Sequence, residues 1–429
     1  MLFHLVLLYI VVFYSQIGER IPALESVRLE FVIGGVILGI ILMKRLTGRP
    51  HDHTPDRLNF AIILFLASIV ISIPGSYWLS NSANTFLRLL KSAAIYVMIV
   101  STIDTEARLR KVLWIYLLMV FLIVGQPFWG MFTGSAKFET HRGYPKLLGV
   151  TGLWMHPNSL GGFAASNLAF LYFLYNGEKS LPKRMLILLI AVSSLGTIVY
   201  TGSRTAYVGL LGVAFCVWLG ARRKLRTVLL VSFCLIALWI TTPPQYKQQF
   251  LTLQEAPHVV RDDANIDSMA TRWQIIKDAW TIFLDHPILG VGIDAFMTVR
   301  GMRFDRWQDT HNLYLQVLTN LGIVGGFAFV LVLYHIFKNL RLAERLIVQC
   351  PAAERQWLHM AARAMTVFLV ARLIVGMFGM DLYENYWWLA GGLSVAVLRI
   401  ARKPLVAQRG RPARREPIVL QTAKDPTRR

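Results

Sequence analysis

Charge is what this chain has little of. Only 16% of its 429 residues are Asp, Glu, Lys or Arg, where a soluble domain usually carries about 25%. With 55% hydrophobic residues and a mean hydropathy of +0.49, the chain lacks the polar surface a water-soluble protein of this size needs. Cysteine is scarce too, at three residues, which excludes a disulfide scaffold. Glycine follows no collagen-like period, and the apolar excess excludes a disordered chain. No GxxxxGK[ST], HExxH, CxxC or paired-acid DxD motif occurs, so no phosphate-binding loop or motif-borne metal centre is legible. Gly290-Val291-Gly292 follows a helical pattern rather than a strand, so it is not a dinucleotide fingerprint. What remains is an integral membrane protein.

Apolar stretches near spanning length recur along the chain. A helix rising about 1.5 Å per residue needs about 20 residues to cross a hydrocarbon core about 30 Å thick. The pattern predicts an all-α integral membrane protein with about 12 transmembrane helices. They fall near residues 1–17, 27–43, 59–76, 86–103, 112–128, 159–176, 185–201, 205–220, 227–242, 312–337, 358–379 and 385–400. The first has no basic leading region and no small-x-small site, so it reads as a retained anchor rather than a removed signal peptide. Four regions follow: nine helices over 1–242, a long outer loop over 243–311, three helices over 312–400, and a basic tail over 401–429.

Lys and Arg number 45 against 24 Asp and Glu, a net charge of +21. In a soluble chain that excess would point to nucleic acid. In a polytopic membrane protein it follows from the enrichment of cytoplasmic loops in Lys and Arg. Position decides between the two. Twelve spans put both termini on one side; that side holds 28 of the 45, the other 13, and Arg88, Lys91, Arg363 and Arg372 lie inside spans. Both termini are therefore expected in the cytoplasm. The long loop holds 7 basic and 9 acidic residues, so no nucleic-acid partner is expected. Trp78, Trp129, Trp239 and the pair Trp387-Trp388 are expected to form an aromatic belt at the outer interface. Cys216 and Cys234 fall within spans and Cys350 in an inner loop, so no disulfide is expected. The tail reads as a disordered end, able to meet anionic membrane lipids.

Long loops carry function or disorder, and this one is rich in aromatics. Trp273, Ile276, Trp280 and Phe283 recur at helical spacing, which predicts an amphipathic helix ended by His286-Pro287 and lying on the membrane or across the bundle. His311 stands at the outer start of the tenth span. A helix N-terminus disfavours protonating an imidazole, and a neutral histidine is what a general base must be. The competing reading of His311 is a capping or interfacial side chain. Arg204, in a short turn between the seventh and eighth spans, and Arg272, early in the loop, lie on the side poor in basic residues. Guanidinium groups grip phosphate oxygens bidentately, so two arginines beside a histidine suit a phosphate or diphosphate substrate; an interface anchor or ion pair is an equal reading for each alone. Arg88 and Lys91 share a helical face near the outer end of the fourth span, where they line a route for a lipid diphosphate or snorkel. Arg363 and Arg372 read as structural pairing or a cavity wall, and His156 and Asn158 as helix-entry residues. His258, Asp285 and His286 show no metal-ligand spacing.

The runs WMHPNSLGGFAA, GSRTAYVGLL, ATRWQIIKDAWTIFLDHPILGVGIDAF and THNLYLQVLTNLGIVGG, in that order and on one membrane side, resemble the bacterial O-antigen ligase and polysaccharide polymerase superfamily. The resemblance covers roughly residues 145–340. It implies a GT-C-like, metal-independent inverting glycosyltransferase of the bacterial inner membrane, needing no cofactor. The donor would be an undecaprenyl-diphosphate-linked glycan, and the acceptor a sugar hydroxyl of lipid A–core or of a lipid-linked repeat. Carried over by motif, His311 matches the histidine that activates the acceptor, and Arg204 and Arg272 the arginines that hold the diphosphate, with Lys91 and Arg88 as further contacts. Ligase and polymerase share the donor and differ in acceptor, so the sequence does not separate them. The rivals are a lipid-linked oligosaccharide flippase or other polysaccharide transporter, which would show internal repeats and broken helices in both halves, and a structural scaffold.

Overall fold

The computed structural model describes residues 1–47, 57–141, 144–221, 223–244, 246–247, 269–349 and 352–409. The expected basic tail beyond 409, the loop stretch 248–268 with His258, and Cys350 lie outside these residues.

The described chain is mostly helical. In order come α1 (Leu2–Ser15), the single turns α2 (Ile17–Arg20) and α3 (Pro22–Glu25), α4 (Leu29–Thr47), α5 (Arg57–Ser72), α6 (Leu79–Thr102) and α7 (Glu106–Thr133). After a hairpin follow α8 (Pro157–Gly177), α9 (Leu181–Thr201), α10 (Arg204–Leu219), α11 (Lys224–Thr241), α12 (Met269–Asp285), α13 (Phe296–Phe304), α14 (Leu313–Ile347), α15 (Ala352–Gly376) and α16 (Tyr386–Arg409). Each of the twelve expected spans falls on one of these helices. Among the described residues, six stretches have the length and apolar composition to cross a membrane: 22–47, 79–102, 106–133, 181–201, 313–347 and 355–376. α1, α5 and α10 are shorter apolar helices.

Local chemistry sets the helix ends. Thr105 caps α7 by accepting from the Arg108 amide, and Gly134 closes it in the left-handed region at φ 74°. Gly202 (φ 55°) ends α9, and the Ser203 hydroxyl caps α10 at once by accepting from the Ala206 amide. Arg204 is thereby held at the first residue of a helix.

The connections gather at two ends. At one, Arg108 lies over the Phe3 ring, the Arg399 guanidinium bonds to the Val100 carbonyl and Lys403 to that of Asp104. The start of α1, the α6–α7 turn and the C-terminal part of α16 are therefore neighbours. At the other, termed the outer end, Glu19 accepts from the Gly152 amide, Asn158 from Ser203, and Asn312 bonds to the Met377 carbonyl.

Three findings depart from expectation. The fold is not wholly α: β1 (Phe138–His141) and β2 (Tyr144–Leu147) form an antiparallel hairpin between α7 and α8, with Glu139 opposite Lys146. The stretch is too polar to continue a buried helix, and opposite charges facing across strands stabilise the pairing. Trp387 and Trp388 are 5% exposed and belong to the core, the Trp387 indole donating to the Asp381 carbonyl, so they are not part of a belt. The third lies in α12. Its packed face is Ile275, Ala279, Ile282 and Phe283, while Trp273, Ile276 and Trp280 are exposed. Both stripes have helical spacing, so periodicity alone could not choose between them.

Candidate active site on the outer face

α8, α10 and α15 approach closely because glycines line the contact. A side chain at Gly162 or Gly209 would meet Val375 at 2.9 or 2.7 Å, and one at Gly376 would meet Leu313 at 2.9 Å. Small residues permit this approach between apolar helices, where burial alone gives little drive. Val375-Gly376 thus joins the second turn of α10 to the first turn of α14. Arg204, exposed, begins α10. His311, half-buried, stands one residue before the Asn312 cap of α14, and Asn312 also bonds to the Met377 carbonyl. The His311 backbone is in the left-handed region at φ 46°, uncommon for a residue other than glycine. The His156 ring caps α8 by accepting from the Asn158 amide, and the Asn158 carbonyl oxygen accepts from Ser203 at 2.7 Å. The helix-entry reading of both residues holds, and it ties the start of α8 to the turn that carries Arg204.

The outer loop folds as a cap. Ala279, Ile282, Val291, Ala295, Phe296 and Val299 form a small core of their own. Beneath it Arg300 and Asp278, 1% and 3% exposed, make a buried ion pair at 2.9 Å. Gln274 and Arg306 also bond to Asp278, and Arg300 reaches the Gln308 carbonyl. Burial alone would raise the Asp278 carboxyl, but the hydrogen bonds from Gln274, Arg300 and Arg306 hold it below its usual value. This network links the middle of α12 to the strand of chain leading into His311. Arg272, half-buried, lies less than two turns before Asp278 on the same helix.

The cap is pinned to the bundle at two places. The first is a break in α14 at Gly322 (φ 63°, ψ −163°). The amides of Val291 and Gly292 donate to the carbonyls of Thr319 and Asn320, and those of Ile323 and Val324 to Pro287 and Ile288. Loop 287–292 therefore satisfies four backbone groups that the break frees. The tenth span is not the continuous helix we expected: 313–321 is a separate outer segment. The second pin is Asp294. Its carboxylate accepts from Asn81, Thr85 and Arg88 at 3.1, 2.8 and 3.2 Å. Arg88, expected at a diphosphate, is thus paired within the protein. Lys91 lies 3.7 Å from the Phe31 ring centroid, at the outer start of α4.

Several polar groups were not found from sequence. Tyr383 lies within the electrostatic reach of Asp294, Asp309 and Arg88, and burial with the two carboxylates pushes its hydroxyl well above the ordinary value. Burial also raises Asp309, opposed by its bond from the Thr310 amide. Arg372 pairs with Asp381 at 2.9 Å and donates to the Tyr386 hydroxyl at 2.7 Å; Arg363 lies over Phe173 and reaches the Gly220 carbonyl. Both are the structural contacts expected of them. Glu384, beside Arg372 and Asp381, is pushed up to about 7, by burial first and then by the Asp381 charge. An acid flanked by glycine and apolar residues, as Asp294 is in GVGIDAF, was the one available signal. Among the described residues no three His, Cys, Asp or Glu side chains gather as a metal-binding group.

These features define a multi-pass helical membrane protein that carries a polar, folded cap at one end. The family model described as O-antigen ligase matches residues 186–330, about a third of the chain, and supports membership of the O-antigen ligase and Wzy-like polymerase superfamily. No curated protein matches the chain. The matched segment runs from α9 past the α14 break and contains Arg204, Arg272 and His311, while Arg88 and Lys91 fall outside it.

Proposed function

We propose that the protein is a glycosyltransferase of the bacterial inner membrane. It crosses the bilayer twelve times, has both termini in the cytoplasm, and works at its periplasmic end. It moves a glycan from undecaprenyl diphosphate to the hydroxyl of an acceptor sugar, on lipid A–core or on a lipid-linked repeat. The observation that carries this reading is the presence of Arg204, Arg272 and His311 in the one segment that matches the O-antigen ligase family.

His311 takes the proton of the acceptor hydroxyl as its oxygen attacks the anomeric carbon. The bond from that carbon to the diphosphate oxygen breaks, and the lipid diphosphate leaves from the opposite face, with inversion. Arg204 and Arg272 meet the charge that grows on it. A positioned base typically contributes about 100–10,000-fold in rate, and removing one charge-stabilising donor typically costs about 100–1,000-fold. A diphosphate already leaves readily, so two guanidinium groups supply what a metal ion would. Arg88, bonded to Asp294 yet largely exposed, and Lys91 are further contacts for the diphosphate as it approaches.

The transporter reading is weaker. Its hallmark is a broken helix whose free backbone groups coordinate cargo; at Gly322 four such groups are bound by loop 287–292.

The test is transfer by the purified protein from a lipid-diphosphate-linked glycan. His311→Ala should abolish product while still reaching the membrane, and wild-type activity should persist in EDTA. Substantial transfer by His311→Ala, or a strict metal requirement, would overturn the mechanism. In a deletion strain, unattached polymer beside bare core marks a ligase, and core bearing one repeat marks a polymerase.

A further inference from the structure

The exposed stripe of α12 is left uncovered by the rest of the described chain. Trp273, Ile276, Trp280 and Leu284 follow i, i+3, i+7, i+11 spacing along one helical face. All four are exposed, the two indoles by more than half. Gln274, Asp278, Thr281 and Asp285 share the polar face. Lys277 stands at the border between the two, its ammonium 5.9 Å from the Trp273 ring centroid. Four large apolar side chains in a row mark a surface that meets something other than water.

The height of that face follows from α14 and α15, which are joined by residues 348–351. Residues 323–347 of α14 and 352–376 of α15 are equal in length, about 38 Å at 1.5 Å per residue, so Gly322 and Gly376 stand at one height. Leu313 lies against Gly376, and Asn312 bonds to the Met377 carbonyl. The segment 313–321 therefore has both ends at the same height and lies across the end of the bundle. α12 lies with it. The carbonyls of Pro287 and Ile288, just past its end, accept from Ile323 and Val324. Asp278, in its middle, is tied through Arg300 to Gln308, and its core side packs on Leu315. Gly376 ends a stretch with the length and composition of a membrane span, so α12 rests where the hydrocarbon stops.

We propose that the exposed face of α12 beds into the phospholipid leaflet at the outer end, with Trp273 and Trp280 among the headgroups, so that lipid is a structural partner of the cap. Continuity carries the choice of partner. Ile323, Phe327 and Val330 are exposed on the spanning part of α14, and Ile288, also exposed and bonded through its carbonyl to Val324, extends that apolar surface toward Leu284. A helix with tryptophan and leucine on one face and charge on the other lies in the interfacial plane. Indole rings favour that depth, and Lys277 reaches the phosphates on its flexible stem. The proposal needs only that the chain spans a membrane, so it stands apart from the glycosyl-transfer reading. Its consequence is placement: through the Asp278–Arg300 pair, the leaflet fixes the height of the chain leading into His311.

The experiment uses the full chain, its three cysteines replaced by alanine, in liposomes of phosphatidylethanolamine and phosphatidylglycerol. Nitroxides are placed singly at residues 276, 280, 281, 284 and 285. At 276, 280 and 284, collision with oxygen, which concentrates in lipid, should exceed collision with a water-soluble nickel chelate. The order should reverse at 281 and 285. Nickel-dominated relaxation at 276 and 280 overturns the proposal. Spectral broadening at 280 that disappears when unlabelled chain is mixed in also overturns it, because a second copy would then cover the face. Trp273→Glu combined with Trp280→Glu should speed hydrogen exchange across α12 by about tenfold or more. Met302→Glu, at an exposed site on α13, should leave that rate unchanged. Wild-type exchange in a folded double variant counts against the proposal, and the nitroxide readings decide it if that variant does not fold. Lipid contact in a protein that transfers no glycan removes the enzymatic reading and leaves the membrane contact standing.

Discussion

Burial and the Asp381 charge raise the Glu384 carboxyl to about 7, while Arg372 pulls it back. An unfolded glutamate titrates near 4.3, so between about pH 4.3 and 7 the folded protein holds more protons than the unfolded one. Stability from this site is complete below the unfolded value and is lost as pH rises through the folded value. The thermal midpoint in detergent should therefore fall from pH 5 to pH 8, and Glu384→Gln should flatten that dependence; an equally steep slope in the variant would refute it. The cap behaves oppositely, since Asp278 is held low by its bonds and loses them only in acid. Sequence singles out residues that break a rule of topology: Arg204 is basic on the side expected to be poor in basic residues. Asp278, Asp294 and Asp381 break no such rule. Their partners Arg300, Arg88 and Arg372 become visible only when distant segments meet.

At the scale of elements, α14 is the instructive case. Hydropathy runs unbroken from Leu313 into the membrane, so a single span was the natural reading. The break at Gly322 depends on a backbone conformation open to glycine and on loop 287–292 arriving to satisfy the freed groups. A Cβ at Gly322 would collide with the Ile288 carbonyl, and one at Gly290 with the backbone of Asn320. Gly322→Ala should thus cost on the order of 2–5 kcal/mol, from backbone strain plus collision. The measurable outcome is faster hydrogen exchange at 287–292 and earlier proteolysis of the cap; exchange at the wild-type rate would mean that the interlock does not hold the cap. For α12 the sequence marked the helix but not its buried side, because two apolar stripes competed and only the cap core selected one.

For the whole molecule, the grouping of loops at two ends makes a labelling prediction. Single cysteines at Ser135 and Gln308 should react with a membrane-impermeant maleimide in intact cells, and one at Ser180 only after permeabilisation. Reaction at Ser180 in intact cells would reverse the proposed orientation. The helical, multi-pass character of the chain was legible in the sequence alone, because the cost of placing polar backbone in hydrocarbon acts on each segment where it stands. The hairpin at 138–147, the core role of Trp387 and Trp388, the α14 break and the Asp294 pin were decided only by the tertiary structure. Each depends on which distant group fills a space or satisfies a hydrogen bond, and no local pattern of residues carries that information.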